Sequence, residues 1–524
     1  MNQTETTLRA VGRTADVPFR TWLAFAAMCL GMFMAILDIQ IVTTSLPAIR
    51  AALKIPTDKM IWIQTAYLTA EIVAIPLTGY LTRLLGMRWL FVIATAVFTA
   101  ASVGCAASSS FAVLIGWRVI QGFAGGTLIP AVFSAIFLLF PERAQGLATT
   151  IAGVAAVLAP TVGPIAGGYI TQTWSWHWLF LINVLPGILA ATGTGMLLSG
   201  KWSDWHVAGR IDLMALVIMA AGLVALQLGL KDAPALGWGS SGVALLLGGS
   251  LVAIALFIWR TWNSADPLVE LRFVNDRNFA IGCALSFLLG VGLFGMSYLM
   301  PFFLGIVRGH GSLRIGEIML VTGLAQLASA PLAVMLERKV DARALTAFGF
   351  ALFAAGQLIS TQQTQASDAA QMVLPQILRG AASMFCLLPP TRLALGRIKP
   401  ELVADASGVF NLMRNLGGAI GLALIDTVIF SRSTTYGQSI ADQLRAGNVG
   451  TAVSIGIPRD AFLENLGQPA DEFTTEMVRP LVEKAALAHA VNDAWLLLGG
   501  ASVLAVMLVL FVRKVVPQQG NPAA

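Results

Sequence analysis

Apolar runs of membrane-spanning length recur along almost the whole chain and constrain its fold more than any other feature. A helix needs roughly 20 mostly apolar residues to cross a hydrocarbon core about 30 Å thick. Because lipid offers the backbone no hydrogen-bonding partner, a run of this length crosses the membrane as an α-helix. We therefore predict an all-α membrane protein with 14 transmembrane helices. The predicted spans are 22–45, 59–82, 89–106, 111–139, 146–170, 177–199, 211–231, 241–261, 278–303, 315–336, 344–362, 371–393, 403–430 and 489–512.

The composition excludes the soluble globular class. Of the 524 residues, 57% are hydrophobic and 11% are charged, whereas roughly a quarter of the residues of a soluble domain are charged. The first apolar run, 22–45, is longer than a signal-peptide core, and no small-residue cleavage site follows it. We therefore expect a retained first helix. The cysteines lie singly within predicted spans without metal-ligand or redox spacing, so we expect packing residues; they are Cys29, Cys105, Cys283 and Cys386.

Basic residues are distributed unevenly between the two sides of the predicted membrane. The chain carries 33 Lys and Arg against 27 Asp and Glu, a net charge of +6. With a cytoplasmic N-terminus, 19 of the 33 basic residues lie in or at the borders of the cytoplasmic segments. Lys and Arg favour the cytoplasmic ends of membrane helices. We therefore expect both termini in the cytoplasm, and the positive charge does not require a nucleic-acid partner.

A weak internal repeat relates the two halves of the chain. The matching positions are Pro76-Leu77 with Pro331-Leu332, Arg83 with Arg338, Arg88 with Arg343, and Gln121-Gly122 with Arg379-Gly380. Their offsets of 255 and 258 residues predict two six-helix bundles separated by two inserted helices. Parallel repeats of this kind place a binding site between the bundles, near the middle of the membrane.

The repeat divides the chain into segments. We predict a cytoplasmic N-terminus over 1–21, a first bundle over 22–199, an insert over 200–277, a second bundle over 278–515 and a cytoplasmic tail over 516–524. We interpret the insert as peripheral and passive, because neither of its helices carries a mid-span charge. The second bundle contains the one long hydrophilic stretch, the external loop 431–488, whose part from Asp471 to Ala488 has an amphipathic helical pattern.

Ionisable residues inside the spans are the first candidates for function. A charge at mid-bilayer costs about 2.5–3.5 kcal/mol on insertion scales and is kept mainly for function or pairing. Asp38 and Arg118 both lie about 10 Å below the external surface, which permits an ion pair between them. Asp38 and Glu71 are candidate proton carriers, and a permanent structural pair is the alternative. Arg379 and Arg414 are mid-span cations with either a helix-pairing role or contact with substrate.

Two further sets complete the candidate site. The fifth span combines prolines with small residues, which bend a helix and let backbones approach closely, so it suits a seal between the bundles. Met, aromatic and polar residues within the spans are candidates for an adaptable substrate cavity. The candidate lining residues are Met34, Gln64, Gln121, Phe294, Tyr298, Met384, Arg379 and Arg414.

Other energy sources and chemistries lack sequence support. No Walker motif is present, which argues against an ATP-driven pump. The histidines are isolated near span ends and form no metal-ligand set; they are His177, His206, His310 and His489. We expect no catalytic residues, metal or cofactor, and a proton gradient as the energy source.

Four local motifs carry a resemblance to a known family. Leu37 to Val42 and Ser45 to Pro47 match a helix 1 signature, and Arg118 to Gly122 with Gly125-Gly126 match a helix 4 signature. The loop between helices 2 and 3 carries Gly79, Arg83, Gly86 and Arg88, and helix 5 carries Pro160, Gly163, Pro164, Gly167 and Gly168. With these motifs the chain resembles the major facilitator superfamily, specifically the fourteen-helix drug:proton antiporters of the EmrB/QacA type.

The resemblance implies a fold and a function. The expected fold is the major facilitator fold, and the helix 5 motif implies export of hydrophobic or amphipathic drug-like compounds across a bacterial inner membrane. Asp38 would be the leading proton-coupling residue, Arg118 its partner and Glu71 a weaker candidate. Relatives of the EmrB type work with a periplasmic adaptor and an outer-membrane channel, and the loop 431–488 is a candidate contact. Arg83 replaces the usual aspartate of the loop motif. Whether this chain has the usual aspartate-based latch on the cytoplasmic side is therefore an open question.

Other functions remain open on the same fold. The first alternative is a symporter or a transporter of a metabolite, lipid or siderophore. The second is a membrane sensor that does not transport. The helix 5 motif disfavours an importer, and the buried charges disfavour a sensor.

Overall fold

The apolar runs fold as long helices because hydrocarbon forces each backbone N–H to bond within its own segment. The computed structural model describes residues 17–56, 59–60, 62–198, 212–264, 267–337, 339–464 and 472–513. The predicted N-terminal segment up to residue 16 and the predicted tail 516–524 lie outside these residues. So does most of the loop between the first bundle and the insert.

The described residues contain sixteen α-helical elements when Trp178–Leu181 and Val184–Leu197 count as one, besides four short 3-10 or π turns. The first half contains α1 (Phe19–Leu53), α2 (Trp62–Leu85), α3 (Met87–Ala106), α4 (Phe111–Leu139), α5 (Glu142–Thr173) and α6 (Trp178–Leu197). The insert contains α7 (Leu213–Leu236) and α8 (Ser241–Trp262). The second half contains α9 (Arg277–Phe302), α10 (Ser312–Glu337), α11 (Ala342–Ile359), α12 (Ala369–Leu395), α13 (Val403–Arg445), α14 (Val449–Ser454), α15 (Arg459–Glu464) and α16 (Glu472–Val509).

The predicted number of membrane spans is confirmed. Within the described residues, 13 helices are long and apolar enough to cross a membrane, and α5 makes 14 when its two bent segments count as one span. Its segments Glu142–Pro160 and Ile165–Thr173 meet at 47°. A proline removes a backbone donor and crowds the preceding turn, so the bend agrees with the prediction of a kinked fifth helix.

The helices pack as two groups of similar internal arrangement. Helices α1 to α6 pack on one another, and α9 to α13 pack with α16. A Cβ atom added at Gly122 of α4 would lie 2.2 Å from the carbonyl oxygen of Tyr67 on α2. One added at Gly380 of α12 would lie 2.2 Å from the carbonyl oxygen of Thr322 on α10. Gly380 follows Gly122 by 258 residues, and Thr322 follows Tyr67 by 255 residues. The sequence repeat therefore corresponds to a repeated helix contact.

The core of each group is apolar, and all four cysteines lie within it as predicted. Cys29, Cys105, Cys283 and Cys386 are buried and free. Helices of the two groups meet along α5 with α10 and along α2 with α13. The central cavity described below lies between these two lines of contact.

The insert is less peripheral than predicted. Helix α7 packs against both α2 and α13, one helix from each group, whereas α8 packs mainly on α7. Met219 and Leu223 of α7 are buried with Leu77 of α2 and Phe410 of α13 in one apolar cluster. The absence of mid-span charge correctly indicated an apolar helix but contained no information on which neighbours that helix covers.

The prediction of a loop over 431–488 is wrong for much of that segment. Helix α13 continues beyond the predicted span to Arg445, and α16 already begins at Glu472, so a helical extension, external by the predicted orientation, caps the second group. Ile440 and Ile455 are buried there against Ala485 and Ala486. These widely spaced apolar residues pair only in the folded extension. The amphipathic pattern predicted from Asp471 to Ala488 corresponds to the start of α16.

Candidate functional site

Asp38 and Arg118 form the predicted ion pair inside the first group of helices. Arg118 Nη1 lies 2.5 Å from Asp38 Oδ2, and both side chains are 0% exposed. The other carboxylate oxygen accepts hydrogen bonds from Gln121 Nε2 at 3.1 Å and Asn183 Nδ2 at 2.7 Å. The carboxylate therefore has three donors, contributed by α4 and by Asn183, which lies between the two helical segments Trp178–Leu181 and Val184–Leu197 of α6.

Arg118 is also held by contacts beyond the ion pair, although its Nη2 has no acceptor among the described residues. Its Nε donates to the carbonyl oxygen of Ile63 at 3.0 Å, and its Nη1 donates to Gln121 Oε1 at 2.6 Å. Its guanidinium carbon lies 4.4 Å from the ring centroid of Tyr67. Only a planar fork of donors serves a carboxylate, a carbonyl and an amide while stacking on a ring, so lysine is a poor substitute. Five of the six helices of the group meet at this network, once Ser102 of α3, which accepts from Gln121 at 2.8 Å, is included.

A separate cavity lies between the two groups of helices. Its empty volume is about 1110 Å³, counting the part open to solvent. Nine of the nineteen described lining residues are Ile, Leu, Met or Phe. The lining residues from the first group are Ile36, Ile39, Gln40, Glu71, Ile129, Ala156 and Pro160. Those from the second are Leu293, Phe294, Met296, Ser297, Met300, Met319, Thr322, Arg379, Leu387, Asn411, Arg414 and Asn415.

Three ionisable side chains line this cavity: Glu71, Arg379 and Arg414. Each lies about 14–17 Å along its helix from the nearer end, so all three lie near the middle of the membrane. Glu71 is 3%, Arg379 2% and Arg414 8% exposed. Among the described residues, none of the three makes an ion pair within 4.0 Å. The expected positioning and helix-pairing role of Arg379 and Arg414 therefore involves no ion pair in this structure, and contact with substrate stays the alternative.

Aromatic rings hold the two cavity arginines instead of carboxylates. The guanidinium carbon of Arg379 lies 4.3 Å from the ring centroid of Trp495, and that of Arg414 lies 5.4 Å from Phe133. Nε and Nη1 of Arg379 and Nε and Nη2 of Arg414 find no acceptor in the described structure.

The predicted cavity residues divide into two sets. Phe294, Arg379 and Arg414 line the cavity. Met34 and Met384 are buried in the cores of the first and second groups, and Gln121 is bonded within the Asp38 network. Tyr298 donates to Asp426 Oδ1 at 2.7 Å, and Gln64 is half-buried near the start of α2. The prediction of a cavity position is therefore wrong for these five residues, because residue type does not show which side of a helix faces the second group.

An ion pair joins the two groups at their cytoplasmic ends by the predicted orientation. Arg83 of α2 pairs with the fully buried carboxylate of Asp405 on α13 and donates to the carbonyl oxygen of Leu268 at 3.2 Å. A Cβ atom at Gly79 would lie 1.6 Å from Asp405 Oδ1, so glycine is required there. The loop motif therefore still forms an ion pair between the two groups. Here α2 supplies the cation and α13 the anion, the reverse of a latch based on an aspartate in the loop motif.

The other motif residues serve packing and turn geometry. Gly86 begins α3 with φ 76°, a conformation that side chains disfavour, and Arg88 lies over the ring of Trp89. In α5, Pro160 lines the cavity, and Gly163 packs against Gln40 of α1. The carbonyl of Gly167 accepts from Ser45 at 3.3 Å and Gly168 is buried. The side chain of Pro164 lies outside the described structure.

Sequence reasoning missed Asp405 and Asn183. Asp405 lies in the first turn of its predicted span, where an acid ordinarily only stabilises the start of the helix. The unusual cation at Arg83 nevertheless called for an acidic partner, and Asp405 was a candidate for it. Asn183 is a polar residue inside the predicted span 177–199, and the expectation that such residues find partners would have marked it.

Comparisons with known proteins agree with the helical architecture and the motifs. Residues 28–422 match the Major Facilitator Superfamily. Over 410 residues, covering 78% of this chain and 80% of the relative, 38% are identical to the colistin resistance protein EmrB of Acinetobacter baumannii. Over 492 residues, covering 93% and 94%, 28% are identical to the multidrug export protein EmrB of Escherichia coli K12.

The fold is also that of solved transporters. The structure of the proton:xylose symporter XylE superposes with a TM-score of 0.58 at 14% identity and covers 95% of this chain and 97% of that one. At this identity the likeness shows the fold alone. Together with the relatives, it makes the assignment clear: this chain is a multi-pass membrane protein of the major facilitator superfamily and belongs to its EmrB-type family of drug:proton antiporters.

Proposed function

We propose that this protein exports hydrophobic or amphipathic drug-like compounds in exchange for protons, without an enzymatic reaction. The observation that carries the proposal is a mid-membrane cavity that is walled by both groups of helices and contains the unpaired acid Glu71. A cavity shared by two bundles opens to either side when one bundle rocks against the other.

Glu71 and Asp38 have different parts in the proposed cycle. Glu71 lines the cavity, so a proton that enters the cavity reaches it directly. Asp38 is closed off by three donors and changes its protonation only when the network around Arg118 rearranges. Because that network joins five helices of one bundle, protonation of Asp38 is linked to the shape of the whole bundle.

The ion pair between Arg83 and Asp405 supports a latch at the cytoplasmic side. It holds α2 against α13 in this structure, and it must separate for the cavity to open to the cytoplasm. The bend of α5 and its close packing on α1 support a seal toward the other side.

Export is favoured over import by the helix 5 motif and by the names of the relatives, which describe multidrug export and drug resistance. The fold does not decide the direction, since a symporter shares it. We further propose an inner-membrane position with both termini cytoplasmic. The external extension of α13 to α16 then faces the periplasm, where it offers a surface to an adaptor linked to an outer-membrane channel.

Proton flux in everted membrane vesicles tests the proposal. Respiration acidifies the vesicle lumen, and we expect added hydrophobic drugs to release those protons when the wild-type protein is present. The Asp38→Asn variant should abolish this release per folded protein in the vesicles, and the exposed Asp442→Asn variant should behave as wild type. A sensor would leave the gradient untouched. An importer would accumulate drug in intact cells, and either result would reject proton-driven export.

A further inference from the structure

The linker that follows the insert enters the seam between the two groups of helices. Residues 267–275 lie between α8 and α9, and a connecting segment of this kind ordinarily runs over the protein surface. Here Leu268 is 4% and Val269 1% exposed. Both side chains lie in one apolar cluster with Tyr80 of α2 and Leu395 of α12. The linker is therefore built into the contact between the groups.

The backbone of this linker bonds to both members of the ion pair between Arg83 and Asp405. The carbonyl oxygen of Leu268 accepts a hydrogen bond from Arg83 Nη2 at 3.2 Å. The backbone N–H of Glu270 donates to Asp405 Oδ2 at 3.3 Å. Val269 lies between these two contacts, and its side chain anchors the segment in the apolar cluster. We call residues 268–270 the strap.

The strap supplies the buried ion pair with partners that it otherwise lacks. Among the described residues, the Asp405 carboxylate accepts hydrogen bonds from Arg83 and from the Glu270 backbone, and its Oδ1 has no donor. A buried carboxylate with too few donors is costly, so loss of the strap makes the ion pair less stable. Arg83 uses one nitrogen for the carboxylate and another for the strap, which its planar fork of donors allows.

The strap contacts one group and is continuous with the other. The chain leads from it directly into α9 of the second group, yet it packs with Tyr80 and bonds to Arg83 of the first group. Separation of the two groups at this seam cannot preserve all of these contacts. The strap therefore favours the closed arrangement of the seam.

We propose that the strap positions the latch: it holds Arg83 and Asp405 together while the cytoplasmic side is closed, and it gives up its contacts with the first group when that side opens. The inference rests on the latch of the proposed transport cycle and adds a third part to it. It also links the insert to the latch, because the strap continues the chain that leaves α8.

Alkylation of single cysteines at the two faces tests the inference. One reporter cysteine replaces Ala406, which is buried in the cytoplasmic seam, and the other replaces Ile165, which packs against Gly316 where α5 meets α10 toward the external side. Each is introduced into the full-length protein in nanodiscs after the native cysteines are replaced, and N-ethylmaleimide is the probe. Opening of the latch should expose the cysteine at 406 and not that at 165. General loosening of the fold should expose both.

Val269→Ala loosens the anchor of the strap without adding a polar group. The loss of two buried methyl groups should speed alkylation at position 406 about tenfold. Val274→Ala is the matched control, because it removes the same atoms from an exposed side chain of the same linker, and it should leave the rate unchanged. Equal rates in the two variants overturn the inference, and so does an equal acceleration at position 165.

Two further variants separate the backbone contact from the stability of the fold. Glu270→Pro removes the N–H that bonds to Asp405, so it should open the seam more than Glu270→Ala, which keeps that N–H. In the Arg83→Gln background, Val269→Ala should add little further opening, because the strap acts through the ion pair. Equal effects of the two Glu270 variants, or full addition in the Arg83→Gln background, would show that the linker acts independently of the latch.

The alkylation experiment and the vesicle experiment fail separately. Alkylation is measured without substrate or a proton gradient. Opening that depends on the strap, without proton exchange in vesicles, rejects only the proposed export. Proton exchange in a protein whose opening does not depend on the strap rejects only this inference.

Discussion

Two buried acids in this protein differ in their surroundings, and that difference separates their expected roles. Asp38 has an ion-pair partner and two amide donors inside one bundle. Glu71 faces the cavity without an ion pair within 4.0 Å. In a protein interior, the removal of one member of a pair leaves a charge uncompensated, whereas an unpaired acid is costly in its charged form. Substitution therefore has opposite effects on stability at the two positions.

The Asp38–Arg118 pair should separate stability from transport. Asp38→Asn leaves Arg118 buried without a counter-ion, and we expect a loss of about 3–5 kcal/mol in stability, seen as a lower melting temperature of the purified protein. The double variant Asp38→Asn with Arg118→Gln removes both charges and should regain most of that loss without regaining proton exchange. Recovery of exchange in the double variant would contradict a proton-coupling role for Asp38.

Glu71→Gln should leave the fold intact and impair transport. The neutral amide removes a buried charge that has no partner, so the melting temperature should stay equal or rise. Substrate-induced proton release should fall by about tenfold or more if Glu71 carries a proton, in line with the usual contribution of a positioned acid or base. Asn411→Ala, a change in the same cavity without a charge, is the control. Wild-type release by the Glu71→Gln variant would remove Glu71 from the cycle.

At the scale of elements, pairs of helices decide what the cavity connects to. Helix α2 meets α13 at the Arg83–Asp405 pair, α5 meets α10, and α7 fills the seam beside α2 and α13. Gly79 lets the Asp405 side chain approach the backbone of α2, so the ion pair is formed at close helix contact. The inserted helix therefore packs at the interface between the two groups of helices rather than at their rim.

The latch predicts non-additive effects. Arg83→Gln and Asp405→Asn should each open the cytoplasmic seam, measured as faster alkylation of a cysteine introduced at Ala406 after the native cysteines are replaced. The double variant should be no more open than the worse single variant, with an interaction energy of about 0.5–3 kcal/mol. Arg88→Gln, nearby but outside the pair, is the control. Simple addition of the two single effects would show that the residues act independently.

For the whole molecule, the bilayer determines the gross architecture and the external extension adds a part beyond it. The extension is held by Ile440 and Ile455 against the beginning of α16, and it carries no residue of the cavity wall. We therefore expect the proposed transport through the cavity to be separable from the proposed contact with an outer partner.

Ile440→Asp tests that separation. A carboxylate in this apolar contact costs several kcal/mol unless the extension loosens, so we expect the extension to become susceptible to protease. Proton exchange in vesicles should persist, whereas drug resistance of cells with an outer membrane should fall. Ser439→Asp, an exposed neighbour, should change neither. Loss of exchange in vesicles would show instead that the extension takes part in transport.

The sequence alone determined the membrane class and the number of spans, and it placed Asp38 and Arg118 at a common depth that permits their pair. The reason is that hydrocarbon demands long apolar helices and makes isolated charges conspicuous, so both signals are local and strong. The repeat of Gln121-Gly122 as Arg379-Gly380 likewise corresponded to a repeated close contact between helices.

Only the tertiary structure decided which residues share a space. Apolar helices carry little amphipathic signal, so the sequence did not show that Met34 and Met384 face the cores while Phe294 faces the cavity. The pairing of Arg83 with Asp405, the position of α7 and the helical extension all depend on contacts between distant segments. Such contacts arise from how helices turn and cross, and no pattern within a single helix records them.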